Sequence, residues 1–304
     1  AYVDGSGLGG FAGRAAQAGA GIAGAGGLPA AAGATAGLGR LALALSAEPD
    51  GLRLTGNAEL DGAAPASFAP TLLDRVPADA LAAVVFRGGD LVGSQLDSLG
   101  GSSPELRAQL ETGLGISLDD VAELFAGQGV LYVRSGAPIP ELTLALEGAG
   151  ARGQQVLGKL VQGLGGLAAA FGGTSGGLKP VTAVEDGVEV TRLALGPVAI
   201  SWASVGGTLV VTTGEGGIRA FRGDGPKLPG SAGFRRAAAD VTLGERTSGF
   251  AYADVAGLAA LLERVGDEKS SDGLVAALGA LDTLAVDTTA ESGALRLDGF
   301  LRVR

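Results

Sequence analysis

The sequence predicts an α+β protein: antiparallel sheets with packed helices, in two related lobes that share a strand-helix-hairpin motif. Three observations carry this. First, the chain repeats part of itself. Ala1-Tyr2-Val3-Asp4 returns as Ala251-Tyr252-Ala253-Asp254, and residues 41–60 align without a gap on 284–303. Eight of those 20 aligned pairs are identical, among them Glu48/Glu291, Arg53/Arg296 and Gly56/Gly299. An Ala/Leu/Gly-rich chain would match itself at roughly two such positions by chance, so the repeat is real. Second, short segments rich in Val, Ile and Thr alternate with turn residues at hairpin spacing. Third, helical stretches interrupt the strands irregularly, which argues against a doubly wound parallel sheet.

The repeat divides the chain. Residues 1–60 read as the tail of a preceding repeat unit, and 61–304 as a complete α+β unit ending in the same motif. Residues 41–48 and 51–60 predict a hairpin turning at Pro49-Asp50-Gly51. Residues 61–70 are a turn-rich connector. Pro77-Ala78-Asp79 forms a turn and 82–87 a short strand. Asp90 is placed to cap a helix running to about Leu99. Pro104 opens a helix to Thr112. Ser117 caps another, with Asp119 and Asp120 in its first turn, where the dipole favours acids.

Residues 128–134 and 141–147 alternate as paired strands. Residues 151–171 predict a long helix with Val156, Leu160, Leu164 and Leu167 as its apolar stripe. A meander of 181–184, 188–195, 198–205 and 208–213 follows, turning at Glu185-Asp186-Gly187, Gly196-Pro197 and Gly206-Gly207. Short helices at about 215–222 and 232–241 lead to strand 249–253, helices 254–265 and 271–280, and a closing hairpin 281–290/294–303.

Composition excludes several chemistries. The 304 residues contain no His, Cys or Met. Disulfides, thiolate nucleophiles and the usual zinc sites are therefore excluded, and the commonest general base is absent. A start without Met leads us to expect a processed or truncated product. The net charge of −10 disfavours a nucleic-acid partner; only Arg235-Arg236 and Arg302/Arg304 approach a basic cluster. Residues 15–39 are uncharged, but Gly and Ala with Pro29 do not make a membrane span. The Ala/Gly/Arg bias points to a GC-rich bacterial genome.

No motif assigns a site, so no catalytic, cofactor-binding, metal or ligand-binding residue is predicted, and no cofactor. Gly5-Ser6-Gly7-Leu8-Gly9-Gly10 and Gly19-Ala20-Gly21-Ile22-Ala23-Gly24 fit a dinucleotide-binding pattern, as 56 glycines make inevitable; the first lacks the acidic residue that would hold a ribose. Asp4 and Asp254 read as helix caps, worth about 1 kcal/mol each. Asp119-Asp120 and Glu185-Asp186 are adjacent carboxylates without a calcium loop. Serine nucleophiles have no His, and no Ser-x-x-Lys spacing occurs. Arg222-Gly223-Asp224 spells an adhesion tripeptide that Gly-rich turns produce by accident. Trp202 reads as core, with an apolar ligand groove as the sharper alternative. Arg53 and Arg296 read as solvent-facing strand residues.

The phrase LLDRVPADALAAVVFRGGDL (72–91), followed by GISLDDVAELFAG (115–127), QGVLYVRSG (128–136) and FAYADVAGLAALL (250–262), resembles the bacterial, actinobacterial-type family known as domain of unknown function 3352. The resemblance covers roughly 65–304, its C-terminal portion. It implies an envelope protein with an extracytoplasmic region behind an upstream membrane anchor, and no activity or catalytic residues. The function expected is thus a non-catalytic, extracytoplasmic cell-envelope module that binds an unknown ligand or partner. A self-assembling structural protein, a homo-oligomer, is the alternative, and a carboxylate-only hydrolase a third reading.

Overall fold

Among the described residues of the computed structural model, twelve strands form one antiparallel sheet, in the order β1-β2-β12-β11-β10-β3-β4-β5-β9-β8-β7-β6. The structure describes residues 38–60, 65–89, 104–137, 139–170, 179–265, 278–291 and 293–304. In chain order the strands are β1 (Leu38–Glu48), β2 (Gly51–Leu60), β3 (Ala80–Arg87), β4 (Gln128–Arg134), β5 (Glu141–Leu146) and β6 (Val181–Glu185). Then come β7 (Val188–Leu195), β8 (Val198–Val205), β9 (Thr208–Thr212), β10 (Gly249–Asp254), β11 (Leu281–Glu291) and β12 (Ala294–Val303). The described helices are α1 (Pro104–Leu114), α2 (Leu118–Leu124), α3 (Gly150–Ala170), α4 (Gly217–Arg222), α5 (Ala232–Asp240) and α6 (Val255–Val265).

Local chemistry explains the hairpins. Asp186 and Gly187 both take positive φ, 51° and 80°, and so give the two-residue turn whose twist suits β6 and β7. Gly206 and Gly207 repeat that geometry between β8 and β9. At α2, the Ser117 hydroxyl accepts the Asp119 N–H. The Asp254 carboxylate accepts the Gly257 N–H at 2.8 Å and so caps α6. The expected helices after Asp90 and at 271–280 fall on or overlap residues outside the described ones, as do Asp4 and both Gly-rich motifs.

Alternation along each strand builds two cores. Val85, Val130, Ala145, Val210 and Phe250 point to one face, where α4, α5 and two 3-10 turns at Thr71–Arg75 and Leu228–Gly230 supply Phe221, Phe234, Leu72 and Leu228. Phe86, Leu144, Leu146 and Leu209 point to the other, under α2 and α3. Trp202 extends this second core with Val161 and Leu193 and is 3% exposed, so its role is packing.

The two copies of the repeat hairpin lie side by side. β1/β2 pairs Leu41 with Ala58 and Glu48 with Gly51; β11/β12 pairs the aligned Leu284 with Leu301 and Glu291 with Ala294. Both carry the same irregularity, between Leu38 and Leu41 in one and Leu281 and Leu284 in the other. β2 and β12 then pair with each other, with Thr55 opposite Asp298, its own counterpart in the alignment. A local pseudo-twofold axis therefore passes through that pair. The strands expected as sheets of separate lobes join a single sheet, because the copies present matching edges to each other.

Arg53 departs from its solvent-facing expectation. Its guanidinium meets Glu48 at 2.6 Å, Asp298 at 2.8 Å and the Asp240 carbonyl at 2.9 Å. It lies 5.1 Å from the centre of the Phe300 ring. Arg302 stands 5.6 Å from the same ring and holds Asp240 through two nitrogens, at 2.6 and 3.0 Å. Hairpin, closing strand and the end of α5 are thereby tied together. Arg296 is exposed as expected.

Asp287 is the buried carboxylate of this region, 7% exposed. It accepts a hydrogen bond from the Thr247 hydroxyl at 2.6 Å. Burial pushes its pKa above the usual carboxylate value, and the nearby Asp298 charge adds to the rise. A raised value means that its contribution to stability is present below the ordinary carboxylate range and is lost as pH climbs through the elevated one. Asp287→Asn, which keeps an acceptor for Thr247, is expected to raise the melting temperature at about pH 7, with the gain vanishing near about pH 4. Parallel thermal melts across that range check it.

Candidate functional site

A cavity of about 470 Å³ opens where the end of β10 and the start of β11 meet the beginning of α5 and the turn before β3. Strand pairing sets its floor. Asp254 lies opposite Thr283 in the β10/β11 register, and Tyr252 sits two residues earlier on the same face. Gly233 of α5 passes directly over the phenol: a Cβ there would lie 3.0 Å from the Tyr252 hydroxyl. Glycine at this place leaves the space open.

The wall is rich in oxygen. Asp79, Asp254 and Asp282 all line the cavity, with Arg236 as its one cationic side chain. Asp79 is held by Arg134, whose nitrogens reach its two oxygens at 2.9 and 2.7 Å and which also meets Glu141 at 2.9 Å. Asp282 meets Arg236 at 3.4 Å. Asp254 has no cationic partner among the described residues; one oxygen caps α6, and the other accepts no hydrogen bond from them.

Two hydroxyls add to this. Tyr252 is 5% exposed and lines the cavity. Burial pushes its pKa up to about 12, helped by the charges of Asp254 and Asp282. The Thr283 hydroxyl is buried without a partner. An unpaired buried hydroxyl costs about 1–3 kcal/mol, so this end of the sheet carries unused hydrogen-bonding capacity.

A second cavity of about 270 Å³ lies between the β6/β7 turn and α4. It contains Arg222 and Asp224 of the adhesion tripeptide, but Arg222 is engaged by the Asp186 carbonyl. The adjacent carboxylates are used in ion pairs. Asp119 meets Arg107 and Asp120 meets Arg152, each at 2.7 Å; Glu185 meets Arg192 at 2.9 Å and Asp186 meets Arg219 at 3.3 Å. Among the described residues no group of three His, Cys, Asp or Glu is arranged to hold a metal. No described helix is long and apolar enough to cross a membrane.

Sequence reasoning singled out Asp254 as a cap, which it is, and saw Tyr252 only as part of the repeated phrase. It missed Asp79, Asp282, Thr283 and Arg236 as neighbours. The one available signal was that the phrase recurs with a tyrosine and an aspartate two residues apart, hence on one strand face.

No family model matches the chain, and no curated protein matches it. Among solved structures, the one described as crystal form III of TP0453 aligns with a TM-score of 0.33 and 12% identity, over 76% of this chain and 93% of that one.

Proposed function

We propose that this chain is a non-catalytic binding module of the cell envelope that takes a small polar ligand, or a polar group of a partner, in the cavity at the end of β10. The observation that supports it most is the Thr283 hydroxyl, buried without a partner in the wall of the cavity. Buried polar groups are normally satisfied, and a ligand would satisfy this one. The carboxylate-only hydrolase draws less support from the same cavity. Asp79 is clamped by Arg134 and Asp282 meets Arg236, so no second unpaired carboxylate stands beside Asp254 among the described lining residues.

The envelope location rests on the resemblance to domain of unknown function 3352, and the two-lobe organisation on the repeat. On that reading residues 1–60 are the tail of one unit and 61–304 a complete second one, and the equal registers of the two hairpins support it. Native mass spectrometry of protein purified from its own host tests the binding reading. A stoichiometric small molecule, lost in Gly233→Ala, is the expected result. A clean apoprotein in both cases sinks the reading.

Self-assembly keeps one supporting observation. Leu52 and Leu284 flank Leu301 in the β2/β12/β11 register, and are 38% and 37% exposed; Leu45, on the same face, is 69% exposed. A concentration-independent monomer in sedimentation velocity would remove that reading.

A further inference from the structure

We infer that the cavity at the end of β10 is built for a primary ammonium group, an inference that rests on the binding reading above. The charge balance of the wall leads there. Asp79 is paired with Arg134, which it shares with Glu141, and Asp282 with Arg236. Asp254 is left as the carboxylate without a cation, and among the described residues only the Gly257 N–H donates to it. Carboxylates therefore outnumber cations around the cavity, and Asp254 is offset only by the amide dipoles at the start of α6 among the described residues.

Hydrogen-bond chemistry narrows the class further. A carboxylate only accepts, while an ammonium carries three donors and no acceptor. Around Asp254 stand two hydroxyl oxygens, that of Thr283, buried without a partner, and that of Tyr252, which lines the cavity. Thr283 faces Asp254 across the strand pair, and Tyr252 lies two residues back on the same face. One carboxylate oxygen and two hydroxyls supply three acceptors for three donors. The Asp254 and Asp282 charges also raise the Tyr252 pKa, so the phenol stays neutral and a second anion does not form there. A guanidinium would bring more donors than these oxygens accept, and an anion would meet Asp254 unscreened. The cavity volume leaves room for the body of a ligand attached to the ammonium.

The test uses amide NMR on the full chain with two probes of equal size, ethanolamine and ethylene glycol, which differ in carrying an ammonium or a hydroxyl. Ethanolamine is expected to give saturable shifts at the amides of Tyr252, Ala253, Asp254 and Thr283. Ethylene glycol is expected to give none at the same concentrations. Asp254→Asn, which keeps the helix cap but not the charge, should weaken ethanolamine about tenfold or more, as loss of a charge-assisted contact does. Equal shifts from both probes, weakened together by Gly233→Ala, would overturn the ammonium assignment and leave the cavity a binding site. Absence of shifts with ethanolamine, or equal shifts with sodium chloride, would overturn it too.

Discussion

Replacing Phe250 with Ala is expected to cost about 3–5 kcal/mol of stability, the largest loss of any single truncation considered, read as a lowered denaturant midpoint with little change in slope. Phe250 is 1% exposed and stands edge-to-face with Phe234, ring centres 5.7 Å apart. Phe234 in turn meets Tyr252 at 5.3 Å. These three rings bind α5 to the middle of the sheet. Aromatics are only 4% of this chain, so most of the core is Ala, Val and Leu, which lack the reach to refill a phenyl-sized hole. Phe250→Leu, which keeps most of the volume, should recover more than half of the loss. A loss below about 1.5 kcal/mol for Phe250→Ala would mean that α5 collapses onto β10 without it.

Asp240→Ala should cost about 2 kcal/mol, through removal of charge-assisted hydrogen bonds. The Asp240 side chain is 13% exposed and Arg302 is 21% exposed, so the pair is shielded from water far better than an ordinary surface bridge. Deleting the carboxylate leaves the Arg302 guanidinium against Phe300 with only Asp50, 3.5 Å away and 69% exposed, as a partner. Asp240→Asn should fall between. The double variant Asp240→Ala, Arg302→Ala separates the causes: if its loss is much smaller than the sum of the two single losses, the pair is coupled. Additive losses would show that Asp240 acts only as the last residue of α5.

What could be read from the sequence was local. Gly206-Gly207 and Asp186-Gly187 dictate their hairpins because the turn needs positive φ at both places. Ser117 announces α2 because its hydroxyl serves a free N–H. The two repeat hairpins were visible too, as alternating runs on either side of turn residues. The junctions between distant strands were not. β3 pairs with β10, β5 with β9 and β2 with β12, and nothing in the spacing of any one strand names its neighbour. Arg53 looked exposed because alternation places it opposite the leucines. That face is covered by α5, whose last residue it contacts. The cavity was hidden for the same reason: Asp79, Gly233, Tyr252 and Thr283 meet only once those junctions exist.

The pairing of β2 with β12 also dictates when this molecule can finish folding. β2 must wait beside an open edge until β12 has been made, because Gly51 is zipped to Arg302. Closing so long a loop before any contact rewards it is entropically slow. The β1/β2 hairpin is thus a strand pair in search of a third neighbour until β12 arrives, and that wait leaves an unpaired edge open to aggregation.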